Sequence, residues 1–354
     1  LTHVSYFLSH VTRGHFRAGT LDLVPAHFSE VYQIMRDRTT DPLVVAAASP
    51  PDRHGYFSLG VSADYTASFI GRARFFLEVT DHMPRTFGRN QLHVSQVAGW
   101  CRSDRPLVTV EPSTPGPLDH TIAAYIAERI PDGATIQTGI GGIPNAIMSQ
   151  LYGHCDLGVH TELLSDGVVD LVERGVVNGV RKELNRTKTV GTFALGTARL
   201  HDFLADNTAI ELWPVRYVNS PAIIGRERNF ISINATLSVD FVGQCASETI
   251  DGAYYSSSGG QNDFARGALN SPGGQGFVVL HSTTSSDVSR IVPRLAAGDV
   301  VTTPKNTVDK VVTEFGVAEL RGRSIRERTR RLIAVAHPDH RDELTRQATA
   351  MHYL

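Results

Sequence analysis

Glu162 closes the run ATIQTGIGGIPNAIMSQLYGHCDLGVHTE, residues 134–162, and its setting gives a carboxylate chemical work. An ionised carboxylate is a weak nucleophile, but it can attack an activated acyl group and form a covalent acyl intermediate. Residues 134–138 predict a buried strand. Gly139, Gly141 and Gly142 predict a tight turn, and residues 144–152 a helix with Pro144 in its first turn, where a missing N–H is harmless. Residues 156–161 predict a second strand, which leaves Glu162 at its carboxyl end. A strand–glycine turn–helix–strand unit of this kind marks the crevice in which open α/β sheets bind ligands. Its glycines allow close backbone approach, and the free N–H groups of the helix start favour an anion.

The same glycines raise a rival reading, a nicotinamide-binding dehydrogenase, because an acid follows about twenty residues on, as the dinucleotide fingerprint requires. The pattern fails at its third glycine, where Ile143 and Pro144 stand. No Gly-Lys-Ser/Thr follows, which excludes a Walker A loop. A second candidate is the segment YYSSSGGQNDFARGA, residues 254–268, read as a loop whose backbone amides at Gly259-Gly260 can face a developing oxyanion. Its plain alternative is a simple turn. His337-Pro-Asp-His340 has a ligand-like spacing, but Pro338 keeps the two histidines off one helix face, so no metal site is expected. His154 and His160 flank the crevice unit and read as satisfied structural histidines. Glu314, at a second strand end, reads as a solvated or paired acid. No Gly-x-Ser-x-Gly elbow and no CxxC occurs, which removes the sequence support for serine-hydrolase and thiol-redox chemistry.

The elements that must position these residues alternate between β-like runs and helical stretches, the pattern of α/β layers with largely parallel strands. In the N-terminal part, β-like runs fall at 21–24, 43–47, 75–79 and 107–110, with helical stretches at 29–36 and 64–72. Residues 111–117, EPSTPGP, carry three prolines and predict a linker, followed by an amphipathic helix over 121–129. Beyond the 134–162 unit, β-like runs lie at 189–193, 209–212, 230–233, 239–242, 277–280 and 300–303. Helical pieces lie at 167–173, 200–204, 288–295, 325–333 and 341–351. This divides the chain into an N-terminal domain, 1–111, and a C-terminal domain, 118–354. At 354 residues the chain can bury two cores, and its net charge of −2 gives no ground for general nucleic-acid or membrane-surface affinity. Cys101, Cys155 and Cys245 are far apart and read as reduced, mostly buried thiols of a cytoplasmic protein.

Taken together, the motifs resemble one family, the acetyl-CoA hydrolase/transferase group, and within it the 4-hydroxybutyrate and butyryl-CoA:acetate CoA-transferase branch. The resemblance spans residues 12–343 and rests on SPPDRHGYFSLG (49–60), MPRTFG (83–88), GIGGIPNA (139–146), DLGVHTELLSDGVVDL (156–171) and YVNSP (217–221). It continues through residues 232–244, 257–268, VVTEFGVAELRG (311–322) and AHPDHR (336–341). It implies two open α/β domains of the CoA-transferase type with the active site between them. It also implies that Glu162 is the covalent nucleophile, that Asn219 helps hold the thioester carbonyl and that the Gly260 N–H is an oxyanion donor. Gly139, Gly141, Gly142 and Gly259 would line the CoA cleft.

The implied activity is transfer of CoA from an acyl-CoA to a carboxylic acid through a glutamyl–CoA thioester. CoA enters as substrate, with no permanently bound cofactor and no metal, and the partners are acyl-CoA and small carboxylic acids in a homodimeric protein. An acyl-CoA hydrolase or an acyltransferase to another acceptor uses the same residues, and a non-catalytic acyl-CoA-binding protein is the alternative of another class. Chains of the family begin several dozen residues earlier, so the N-terminal domain is expected to lack its first strand. Ser257, Ser258 and Asn262 replace apolar or small residues of the branch, which predicts a more polar acyl group or a different acceptor.

Overall fold

Apolar runs with little alternation, such as Phe230-Ile-Ser-Ile and Phe277-Val-Val-Leu, fit strands covered on both faces, and these strands form the centre of the protein. The computed structural model describes residues 2–354. Its largest sheet has six strands in the order Gly158–Val159, Thr135–Gln137, Phe230–Ala235, Gln275–Val279, Lys310–Thr313 and Gly316–Glu319. All neighbours pair in parallel except the last two, which form an antiparallel hairpin turning through Glu314 and Phe315. Helices Pro117–Ala127 and Gly142–Gln150 pack against one another, Gln261–Asn270 lies on Phe230–Ala235 and Gln275–Val279, and Ile325–Ala334 packs on the hairpin.

The N-terminal part carries a parallel sheet of Leu43–Ala48, Arg74–Val79 and Val97–Arg102. Phe75, Leu77 and Val79 are buried on one face of it, whereas Leu43, Val45 and Phe76 are exposed. The two parts of the chain are stitched together by a third sheet, in which Phe87–Gly88 pairs with Ile210–Leu212 and the latter with Thr189–Gly191. Gly88 is required there: its φ is +111°, and a Cβ would overlap the backbone of Leu212. One apolar core runs from Phe57, Phe75 and Leu77 through to Ile136, Ile231 and Phe277.

Several local expectations are corrected. Residues 107–110 form no strand, and Val108 is largely exposed. Of 64–72 only the 3-10 turn Thr66–Phe69 is helical. Residues 288–295 are not helical; they contain the strand Ile291–Val292, paired in parallel with Ser238–Asp240. Residues 300–303 contribute a single bridge, Thr303 to Cys245. The helix after the linker begins at Pro117, because the Asp119 carboxylate accepts the Gly116 N–H at 2.8 Å and caps that end. Cys101 and Cys155 are exposed, and only Cys245 is buried, so the thiols are not mostly buried. Among the described residues no helix is long and apolar enough to cross a membrane.

Candidate active site

The chain changes sheets at Glu162. Gly158–Val159 pairs in the central sheet, whereas Leu163–Leu164 pairs with Phe193–Ala194 in another. Between them Thr161 donates its N–H to the Val190 carbonyl (2.9 Å) and its hydroxyl to the Thr138 carbonyl (3.0 Å). The Glu162 carbonyl accepts both the Thr192 and Phe193 N–H groups, at 3.0 and 3.1 Å. The backbone of Glu162 is thus held from both sides, and its side chain projects into the gap between the sheets.

Asn219 and Gly260 meet that side chain. Asn219 ends the short helix Val215–Val218, is fully buried, and donates from Nδ2 to Oε2 of Glu162 at 2.6 Å. Its Oδ1 has no partner. Gly260 precedes the helix Gln261–Asn270, and a Cβ there would overlap both the Glu162 carboxylate and the Asn219 amide. No larger residue fits. Among the described residues the Gly260 N–H donates to no other group, so the positive end of this helix lies open beside the carboxylate. The segment 254–268 is therefore a loop only as far as Gly260; most of its second half is helix. Asp263, one turn in, accepts the Ser29 N–H and hydroxyl at 3.1 and 2.8 Å.

Burial pushes the Glu162 carboxyl up to about 7; the Asn219 hydrogen bond opposes the rise and the charge of Asp263 adds to it. Burial likewise raises Asp263 to about 6, against the pull of its Ser29 hydrogen bonds. Near neutral pH, Glu162 exchanges readily between ionised and neutral forms, and modest changes around it decide which prevails.

Glu162 opens onto a cavity of about 300 Å³ walled by Phe7, Phe28, Val31, Tyr65, Phe193 and Gly259. The lining is aromatic and aliphatic. Ser257, Ser258 and Asn262 do not line it: Ser257 is buried, Ser258 donates to Glu248 at 3.0 Å, and the Asn262 amide meets His27 at 3.4 Å. The expectation that these three make the acyl site more polar is corrected accordingly. The walls come from residues the sequence reading left without a role, because they lie far apart in the chain with no periodicity linking them.

Of the glycines assigned to the CoA cleft, Gly259 alone lines this cavity. Gly141, at φ +123°, opens onto a separate cavity of about 280 Å³ with Glu111, Asn145 and Asp166. A Cβ on Gly142 would overlap the Asp119 carboxylate, which also receives the Gly116 N–H and the His281 ring at 2.7 Å. Gly139 has open space around it. The protein's own carboxylate lies against the turn, which removes the anion site expected there and the dinucleotide reading with it.

The histidines behave as structural groups. His154 bonds the Ile130 carbonyl, and His340 bonds that of Asp287. Among the described residues no cluster of metal-ligating side chains occurs. Glu314 accepts the Ser282 hydroxyl (2.6 Å) and N–H (3.0 Å), a paired acid. His160 does more than fill space: fully buried, it bonds the Val218 carbonyl through Nε2 at 2.7 Å, tying the strand that carries Glu162 to the residue preceding Asn219. Burial, aided by the Lys182 charge, lowers its imidazole to about 3, so the ring stays neutral and Nε2 carries the donated proton.

An α/β crevice with a buried, hydrogen-bonded carboxylate facing an open helix start and an apolar cavity defines a site for acyl chemistry. The chain matches the acetyl-CoA hydrolase/transferase N-terminal domain over residues 1–112 and the C-terminal domain of the same family over 196–348, and it belongs to that family. It is 48% identical over 351 residues to the succinyl-CoA:cyclohexane-1-carboxylate CoA transferase of Geobacter metallireducens, covering 98% of this chain and 80% of that protein. It is 42% identical to the 4-hydroxybutyrate coenzyme A transferase of Clostridium kluyveri, with 97% and 80% covered. Among solved structures, RipA from Yersinia pestis superposes with a TM-score of 0.92 at 40% identity, covering all of this chain and 82% of that one. The 4-hydroxybutyrate CoA-transferase of Porphyromonas gingivalis does so with 0.84 at 37%, covering 95% and 83%.

Proposed function

We propose that this acyl-CoA:carboxylate CoA-transferase works through Glu162 as a covalent nucleophile. The observation that carries the reading is the meeting of the Glu162 carboxylate, the Asn219 amide and the Gly260 helix start at the mouth of one cavity. Ionised Glu162 attacks the thioester carbonyl, forming a C–O bond as the C–S bond breaks; the products are a mixed anhydride and CoA thiolate. The thiolate then attacks the glutamyl carbonyl, forming a C–S bond and releasing the first acid as its carboxylate. A second carboxylate attacks the glutamyl–CoA thioester, and the returning thiolate takes the new acyl group, restoring Glu162. No proton is gained or lost over the cycle.

Each tetrahedral stage places negative charge on an oxygen. The Gly260 N–H and the second N–H of the Asn219 amide supply the donors for it. The acyl group occupies the aromatic cavity, which favours a monocarboxylic acid with an apolar body. We further propose that the protein acts as a homodimer, which analytical ultracentrifugation would test directly.

Intact-protein mass spectrometry after mixing with a panel of acyl-CoAs tests the route. The expected result is a CoA-sized adduct, removed by borohydride and absent from Glu162→Ala. Turnover without any adduct, or an adduct that survives the alanine substitution, refutes Glu162 as the carrier.

A further inference from the structure

A second concavity lies against the wall of the Glu162 site and has no role in the chemistry above. It encloses about 750 Å³ and is lined by Arg72, Arg89 and Arg216, with Trp213, Tyr217 and Tyr56 among its apolar surfaces. Its lining contains no carboxylate, and among the described residues none of the three arginines pairs with one. Elsewhere on this chain arginines find acids: Arg85 meets Asp52 at 2.8 Å, and Arg199 meets Asp170 and Glu173.

The three cations are also held in place. The Arg89 guanidinium lies 5.0 Å from the centre of the Trp213 ring, which stacks on Tyr217 at 4.5 Å, while its backbone N–H bonds the Leu212 carbonyl at 3.0 Å. The Arg216 guanidinium sits over Tyr32 at 5.0 Å, and Arg72 donates to the hydroxyl of the same tyrosine at 3.3 Å. Planar guanidinium groups fixed against aromatic faces keep their outward N–H groups aimed, which suits bidentate contact with phosphate oxygens. Three like charges around one concavity focus a positive potential into it.

We infer that this groove binds a phosphorylated nucleotide moiety, its phosphates on Arg72, Arg89 and Arg216 and its base and ribose on the apolar lining. The volume far exceeds that of a bare phosphate, and Trp213, Tyr217, Ile70 and Ile223 give the rest of the ligand an apolar bed. Two sources share this chemistry: the 3′-phospho-ADP end of CoA itself, or a free adenine nucleotide. The placement is compatible with the first. Tyr217 and Ser220 line the groove, and Asn219, between them in sequence, reaches Glu162 from the other side of the same segment.

The test is equilibrium binding of CoA and of ADP to the wild type and to Arg89→Gln/Arg216→Gln, whose side chains are exposed and make no ion pair. Thermal unfolding of the variant checks that it is folded, and Trp213→Phe reports whether any fluorescence change arises in the groove. The expected result is a loss of tenfold or more in affinity for at least one of the two ligands, shrinking as salt is raised. If the variant loses both and the ligands displace one another, the groove holds CoA's own nucleotide end. If it loses ADP alone, and CoA does not displace ADP, the groove is a separate nucleotide site. A folded variant that binds both ligands as the wild type does overturns the inference, as does a wild type that binds neither. The readout is binding, so the inference stands or falls separately from the role given to Glu162.

Discussion

Replacing Glu162 by Gln should stabilise the folded protein at pH 8 and change it little at pH 5. The carboxyl is raised from 4.5 to about 7 by burial, the nearby Asp263 charge adding to the effect. In the unfolded chain the proton leaves near the ordinary value; in the folded protein it is retained well above it. Below the ordinary value both states are protonated, and the buried position costs nothing. Between there and the raised value the folded state holds more protons than the unfolded one, so stability falls as pH rises, and above that window the whole cost is present. A displacement of about 2.5 units at 1.36 kcal/mol each makes that cost about 3 kcal/mol at pH 8 and under about 1 kcal/mol at pH 5. Glutamine is neutral at every pH, nearly isosteric, and its carbonyl accepts the same Asn219 hydrogen bond, so the variant escapes the cost. Urea unfolding of both proteins at the two pH values reads the difference directly, since the titrations of all other groups largely cancel between wild type and variant. A gap that is the same at both pH values, or a variant less stable at pH 8 than at pH 5 relative to wild type, would show that Glu162 is not a destabilised buried acid.

The same ionisation should govern activity: kcat/KM for an acyl-CoA should climb about tenfold per pH unit below 7 and level off above it, in a pH–rate profile. Asp263→Asn should move that break down and Asn219→Ala should move it up, each by about one unit, because one removes a like charge and the other a donor to the carboxylate; shifts of the same sign would contradict the assignment. Gly260→Ala should abolish transfer while leaving a folded protein, since its methyl group takes the space of the Glu162 carboxylate and the Asn219 amide; adduct formation in the mass spectrum checks this. His160→Phe should cost about 1–3 kcal/mol of stability through the orphaned Val218 carbonyl, measured by urea unfolding. It should also raise the break in the pH–rate profile as Asn219→Ala does, an effect that lost packing alone would not produce.

How much of this was legible in the chain depended on the distance over which each fact is set. The strand ending at Glu162 followed from its apolar run and the turn before it, both local, and the six-stranded parallel sheet followed from the alternation of elements. The resemblance carried Asn219 and Gly260 as well, and these two residues do meet at Glu162. The helix Gln261–Asn270 was missed because Ser256–Ser258 and the Gly259-Gly260 pair read as breakers, and they end just where it starts. Residues 288–295 read as helical from their apolar spacing, yet pairing with Ser238–Asp240 made part of them a strand, a choice no local signal contains.

The glycine turn shows why motif and ligand must be separated. Gly139, Gly141 and Gly142 have the spacing of a phosphate loop, and the physics that makes such loops useful, free N–H groups at a helix start, is present here. What the spacing does not disclose is which anion comes near. Here Asp119 lies against Gly142, held in turn by Gly116 and His281, so the close approach that glycine permits serves the protein's own fold. The start of the helix at Gly260 has the opposite arrangement. No side chain of its own caps it, its neighbour is a carboxylate raised towards neutrality, and its glycine is needed because that carboxylate occupies the room of a Cβ. Two glycine-led helix starts thus differ in function because one is already neutralised by an internal acid and the other still has an N–H to offer to charge that develops during reaction.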